Sequence, residues 1–332
     1  MTKFFHCKNT KKKGKTFIYR MIFSRNHFRL LAAGLFILLT VSGCKKFSGD
    51  VTVPAFLHLD GIDIIPQTEN APSSESGFYT SDVDAVQLIC YFKGDTAETT
   101  IGTFQLPCTV PLLRHGTMDY LTIIPAVKQN GISATRIEYP YYKHIRLDNV
   151  TVAADSITYL GTPDANGQWR LTTHYYEKPS LAVLVEDYFE PTSFSTNFDS
   201  TVVWVKDDAA NACSGQGYGR VHVTPTDQLV TFYIPQNFTV SETKYLYLEM
   251  DYWTDVDMQI CLTGFQTAGS SASTMSVMML YANRKWQKIY INLGKTWSQF
   301  NYNNPIALSF QAVNTGGIEG DVRIDNVKLI TI

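Results

Sequence analysis

The stretch that decides the fold is KYLYLEMDYW, Lys244 to Trp253. Successive residues of a strand point to opposite faces. Tyr245, Tyr247, Glu249, Asp251 and Trp253 then share one side, and Leu246, Leu248, Met250 and Tyr252 share the other. A period of two with the aliphatic residues on one side predicts a strand in a sheet with one buried face. KIYINL (288–293) and IALSFQAV (306–313) alternate in the same way.

Working back along the chain, the pattern repeats in VTVPAFLHL, AVQLICYF, TIGTFQLP, YLTIIPAV, RLDNVTV, SITYLGT and WRLTTHYY. These are β-branched or aromatic runs broken by Gly, Pro, Asn or Asp, the spacing of β-sandwiches. No stretch sustains a helical period. The fold class expected is all-β: two β-sandwich domains, 51–178 and 179–332, divided near EKPS (177–180).

Residues 1–50 read differently. Leu30 to Val41 is an apolar run of about a dozen residues behind Arg25, His27 and Arg29. A membrane-spanning helix needs about 20. A basic segment, a short apolar run and small residues make an export signal. The run ends Val41-Ser42-Gly43-Cys44, which resembles the lipobox of bacterial lipoproteins. That resemblance implies a diacylglyceryl group on the Cys44 thiol, cleavage before it and acylation of the new N-terminus. One acyl chain gives only marginal attachment, and two or three anchor stably. Met21 is the expected start, with 1–20 an upstream extension, 21–43 the signal peptide and KKFSGD (45–50) the tether. Lys45-Lys46 places no acid after the cysteine, which by the same resemblance implies the outer membrane.

The mature chain is then 332 − 43 = 289 residues. The net charge of −2 includes a strongly basic leader, so a nucleic-acid footprint is excluded. Aromatic residues at 13% and charged residues at 17% suit a β-rich exported protein. Export makes disulfides possible. Cys90–Cys108 and Cys213–Cys261 are the expected pairs, each within one sandwich; the alternative is four buried thiols acting as small hydrophobes.

GTFQLPCTVPLLRHGTMDYLTIIPAVKQNGI, with Gly102, Pro107, Pro111 and Gly116, resembles PEGA-type and related Ig-like modules of bacterial surface proteins. The resemblance implies a spacer or docking module without an active site. RIEYPYYKHIRLDN sets three tyrosines around Pro140 and has two readings: an exposed aromatic–basic contact, or a proline-broken edge strand whose tyrosines pack on a sheet.

The C-terminal half carries Glu186, Asp187, Phe189 and Glu190, then YLYLEMDYW, then WQKIYINL (286–293), then IDNVKL (324–329). In that order they resemble the jelly rolls of carbohydrate-binding modules and galactose-binding-like domains. The resemblance implies a structural calcium, with Glu186, Asp187 and Asp325 as candidate ligands; the alternative is that Asp325 and Asn326 bond backbone amides. It also implies a packed Trp286. Sugars need aromatic faces with polar groups beside them. Trp297, in the polar GKTWSQFNYNN, is the expected exposed platform, with Tyr302 and Trp253 as further candidates.

Catalytic signals are weak. CSGQGYGR (213–220) is not a dinucleotide fingerprint. No nucleophile elbow occurs, and the mature histidines lack ligand spacing. The expected protein is a lipid-anchored, non-enzymatic envelope protein binding a glycan or protein partner through its jelly roll, with no required cofactor. A structural subunit of an outer-membrane assembly is the alternative, and a glycan-acting enzyme the second.

Overall fold

The computed structural model describes residues 52–65, 81–175, 182–187, 202–205, 208–239, 245–265, 271–300 and 304–331. The first eleven strands are β1 (Ala55–Leu59), β2 (Gly61–Ile65), β3 (Ala85–Phe92), β4 (Thr99–Gln105), β5 (Cys108–Leu112), β6 (Gly116–Lys128), β7 (Arg136–Glu138), β8 (Ile145–Val152), β9 (Ile157–Tyr159), β10 (Thr162–Pro163) and β11 (Trp169–His174). They form the sheets β5-β1-β9, β10-β11-β2 and β4-β3-β6-β7, with β8 also paired to β6.

The other strands among the described residues are β12 (Ala182–Asp187), β13 (Val202–Val205), β14 (Tyr218–Val223), β15 (Leu229–Phe238), β16 (Leu246–Thr254), β17 (Asp257–Phe265), β18 (Ala272–Leu280), β19 (Asn283–Asn292), β20 (Ile306–Val313) and β21 (Gly320–Thr331), and a short helix, α1 (Gly294–Trp297), follows β19. Their two sheets, β13-β14-β21-β16-β19 with β12 also paired to β21, and β15-β20-β17-β18, make a jelly-roll sandwich. The fold is all-β as expected, and among the described strands no sheet mixes the two halves.

The alternation in β16 sets the jelly-roll core. Leu246, Leu248, Met250 and Tyr252 pack inward with Val322, Ile324 and Leu329 of β21 and Phe310 of β20. The other face differs from expectation. Tyr247, Glu249 and Asp251 are 2%, 0% and 2% exposed, so the strand is buried on both sides.

The tyrosines of RIEYPYYKH cover that second face. Tyr139, Tyr141 and Tyr142 are fully buried and belong to the same cluster as Tyr247, Tyr290 and Ile330. This is the packed reading of the segment, with the β16–β19–β21 sheet as the surface packed upon. Rings meet edge-to-face: Tyr139 lies 4.6 Å from Tyr142, 4.9 Å from Tyr290 and 5.5 Å from Tyr247. Edge-to-face contact suits the ring quadrupoles.

The hydroxyls need partners at this depth. Tyr139 donates to Glu249 Oε1 at 2.6 Å and Tyr175 donates to Glu249 Oε2 at 2.8 Å. Tyr141 donates to the Ile330 carbonyl at 3.1 Å, and the Tyr142 and Tyr290 hydroxyls are 3.0 Å apart. Burial, and then the Glu249 charge, raises the Tyr139 hydroxyl well above its ordinary value. Lys328 stands opposite Glu249 on β21, its ammonium 5.2 Å from the centre of the Tyr175 ring.

The β6–β7 turn reaches the free edge of β19. Gln129 bridges Tyr290, the Asn130 N–H donates to the Tyr290 carbonyl at 2.8 Å, and Asn130 Oδ1 accepts the Asn292 N–H at 3.0 Å. Asn130 sits at φ 56°, a left-handed conformation that asparagine tolerates.

Candidate functional site

A cleft of about 600 Å³ opens where the β6–β7 turn meets β19. Its walls include Ser81, Asp82, Lys128 and Ser133 on one side and Trp286, Lys288 and Tyr290 on the other, with Cys213 and Asp251. Trp286, Lys288 and Tyr290 share a phase on β19, whereas Ile289 and Ile291 point into the jelly-roll core.

Trp286 is half-buried, and its position is fixed at two points. Its indole N–H donates to the Asn211 carbonyl at 2.9 Å, and the Tyr218 ring stands edge-on at 6.2 Å. Beneath it Lys288 Nζ meets Asp251 Oδ2 at 3.3 Å, with side chains 4% and 3% exposed. Asn326 Nδ2 donates to the same carboxylate oxygen at 2.9 Å. A buried charge pair is tolerated when further hydrogen bonds complete it. Across the cleft Lys128 Nζ lies 3.1 Å from Asp84, which also receives Arg136 Nε at 2.8 Å. Burial raises the Asp82 carboxyl, and Lys128 works against that rise.

The two tryptophans exchange their expected places. Trp297 is 1% exposed and belongs to the jelly-roll core. Helix α1 turns the indole under the sandwich although its sequence neighbours are polar. Trp286, expected to be packed, faces the cleft. Its phase with Lys288 and against Ile289 and Ile291 was the signal that could have found it. Trp253 is half-buried, and the Arg323 guanidinium lies 4.1 Å from its ring centre, so that face is covered. Tyr302 and Cys44 lie outside the described residues.

Asp325 is fully buried. Its carboxylate accepts the N–H groups of Cys213 at 3.2 Å, Ser214 at 3.3 Å and Asn326 at 2.8 Å. Burial pushes its pKa up to about 8 against these bonds. Asn326 follows at φ 49°, and the β16–β21 register shifts between Glu249 and Asp251. The amide-bonding reading therefore describes Asp325, and its oxygens face donors where a calcium ion would need them free. Backbone pairing sets Glu186 and Asp187 opposite Lys328 and Val327, but their side chains lie outside the described residues. Among the described residues no group of three or more His, Cys, Asp or Glu could hold a metal.

Cys90, Cys108, Cys213 and Cys261 are all free thiols, which corrects the expected pairs. Cys213 sits on the outer side of the β21 sheet, beside Asp325. Cys261 lies on β17 of the opposing sheet, with the core between them. Burial raises both thiols, Cys261 to about 11. Asp255 and Asp257, an acid pair of the sequence, serve local structure: Asp255 accepts the Asp321 N–H and Asp257 the Ala282 N–H.

No family model and no curated protein matches the chain. Solved structures similar to it include the family 11 carbohydrate-binding module from Clostridium thermocellum in complex with a β-1,3-1,4-mixed-linked tetrasaccharide. Identity there is 13%, over 45% of this chain and 96% of that one, with a TM-score of 0.31. The family 30 module of a Clostridium thermocellum cellulosomal cellulase matches at 13% identity over 45% and 92%, with a TM-score of 0.30. A carbohydrate-binding module of the β-sandwich superfamily, described for promiscuous specificity, matches at 12% identity over 85% and 100%, with a TM-score of 0.34.

Proposed function

We propose that this chain is a lipid-anchored, non-enzymatic protein of the bacterial outer membrane that binds a glycan in the Trp286 cleft. One observation carries the glycan reading. A fixed, half-exposed indole borders a cleft of about 600 Å³ whose other wall supplies Ser81, Asp82, Lys128 and Ser133. Sugar C–H faces stack on aromatic rings, and hydroxyls take hydrogen bonds from polar groups beside them. A binding role rather than turnover is favoured by Asp251, whose carboxylate is held by Lys288 and Asn326. The anchor reading rests on the short apolar run, its basic flank and the small residues before Cys44.

A glycan array probed with the full mature chain and with Trp286→Ala tests the site. The expected result is binding to at least one polysaccharide, lost in the variant while its circular dichroism remains that of the folded parent. Silence of the parent chain, with envelope proteins co-purifying, would favour the assembly-subunit reading instead. Polysaccharide turnover lost on changing a cleft carboxylate would favour an enzyme. Intact mass of the membrane-extracted protein tests the anchor: an acylated chain beginning at Cys44 is expected.

A further inference from the structure

We infer that the outer face of the β5-β1-β9 sheet rests against the lipid surface to which the chain is tethered; this builds on the anchor reading above. Two cross-strand rows form that face: Pro111–Phe56–Ile157 and Thr109–His58–Tyr159. Ile157 is 47% exposed there and Tyr159 46%, and Leu113, one residue past the end of β5, is 72% exposed. Trp169 stacks on Tyr159 at 4.9 Å, and the His58 ring meets Tyr159 edge-on at 5.3 Å. The rows themselves hold no lysine or arginine; charge lies at their margin, where the Asp60 carboxylate is 3.3 Å from His58 Nε2 and Arg114, paired to Asp95, follows Leu113. Exposed apolar and aromatic side chains gathered on one sheet face mark a contact surface. Rings with an apolar body and a polar tip, next to aliphatic side chains, are the chemistry of the membrane–water boundary.

The course of the chain points to a bilayer as the occupant. The tether leads straight into this sheet: β1 is its central strand and begins at Ala55, paired with Leu112, and the Asp155 N–H donates to the Pro54 carbonyl. From Cys44 to Val53 is nine residues. A fully extended chain of that length reaches at most about 30 Å. A short tether keeps the local concentration of the surface in the millimolar range, so a weak interfacial affinity suffices. The glycan cleft belongs to other elements, the β6–β7 turn and β19, and the two surfaces act separately.

Hydroxyl-radical footprinting of the acylated full chain on phosphatidylethanolamine–phosphatidylglycerol vesicles tests this, with the Cys44→Ala chain in solution as reference. Oxidation of Leu113 and Tyr159 should fall by about threefold or more on the vesicles, the shielding expected of side chains seated in the interface. Tyr281, 75% exposed in the β18–β19 turn, should keep its rate. A chain that fails to float with the vesicles overturns the anchor reading and this inference with it. A floating chain whose Leu113 and Tyr159 oxidise as in solution overturns this inference alone. Protection that grows with protein density at fixed lipid assigns the face to a second copy and also overturns it.

Discussion

Replacing Tyr139 by Phe removes one oxygen from the interior and leaves the ring contacts in place. That oxygen donates at 2.6 Å to Glu249, a carboxylate with 0% exposure. Hydrogen bonds to charged groups contribute about 1.5–3 kcal/mol, because the acceptor otherwise keeps a desolvation penalty without a partner. Tyr175 still serves the other oxygen, at 2.8 Å, so the penalty is partial. The expected loss is about 2 kcal/mol. For a body of this size that lowers the melting temperature by roughly 4–8 °C. Tyr141→Phe is the control, since its hydroxyl meets neutral carbonyls and should cost about 1 kcal/mol. Urea unfolding of the Tyr139→Phe, Glu249→Gln and double variants gives a cycle, and the coupling should be about 1 kcal/mol. Unfolding should stay a single transition, because the tyrosine cluster joins both halves of the core. A Tyr139→Phe chain within about 0.5 kcal/mol of the parent, or an additive double variant, would refute the account of this junction.

Three further outcomes are expected. Trp297→Ala should cost about 3–5 kcal/mol in chemical denaturation, as truncation of a buried aromatic does. Asp325, with its folded pKa raised to about 8, binds its proton more tightly folded than unfolded. Its contribution is therefore fully present below the unfolded pKa near 4 and declines as pH rises toward 8; Asp325→Asn should remove that part of the pH dependence, read as the difference between the two melting-temperature profiles. Cys90 and Cys261, 4% and 1% exposed, should resist iodoacetamide in the native chain and react after unfolding, as mass spectrometry would show.

What the sequence disclosed follows from how far each signal reaches. AVQLICYF is β3 to the residue, because Gly94 and the alternation are local. The inward set of β16 was legible for the same reason. Burial of its second face was not. Glu249 and Asp251 read as solvent-facing acids, and the tyrosine that meets Glu249 lies 110 residues upstream. No periodicity names a partner at that separation. Trp297 misled because the polarity of its loop describes its neighbours, whereas α1 alone decides where the indole goes. The thiols could not be placed because sharing a sandwich does not say which side of a sheet a residue occupies.

The bridge from the β6–β7 turn to β19 bears on how the molecule can be divided. Edge strands with unpaired amides and carbonyls recruit other strands and seed aggregation. Here a turn from the first half satisfies part of that edge through Asn130 and Tyr290. A C-terminal fragment expressed by itself would lose this protection and also bare the Glu249–Lys328 face to solvent. Dissection at the sequence boundary therefore invites insolubility, and the jelly roll is best handled with its N-terminal half attached.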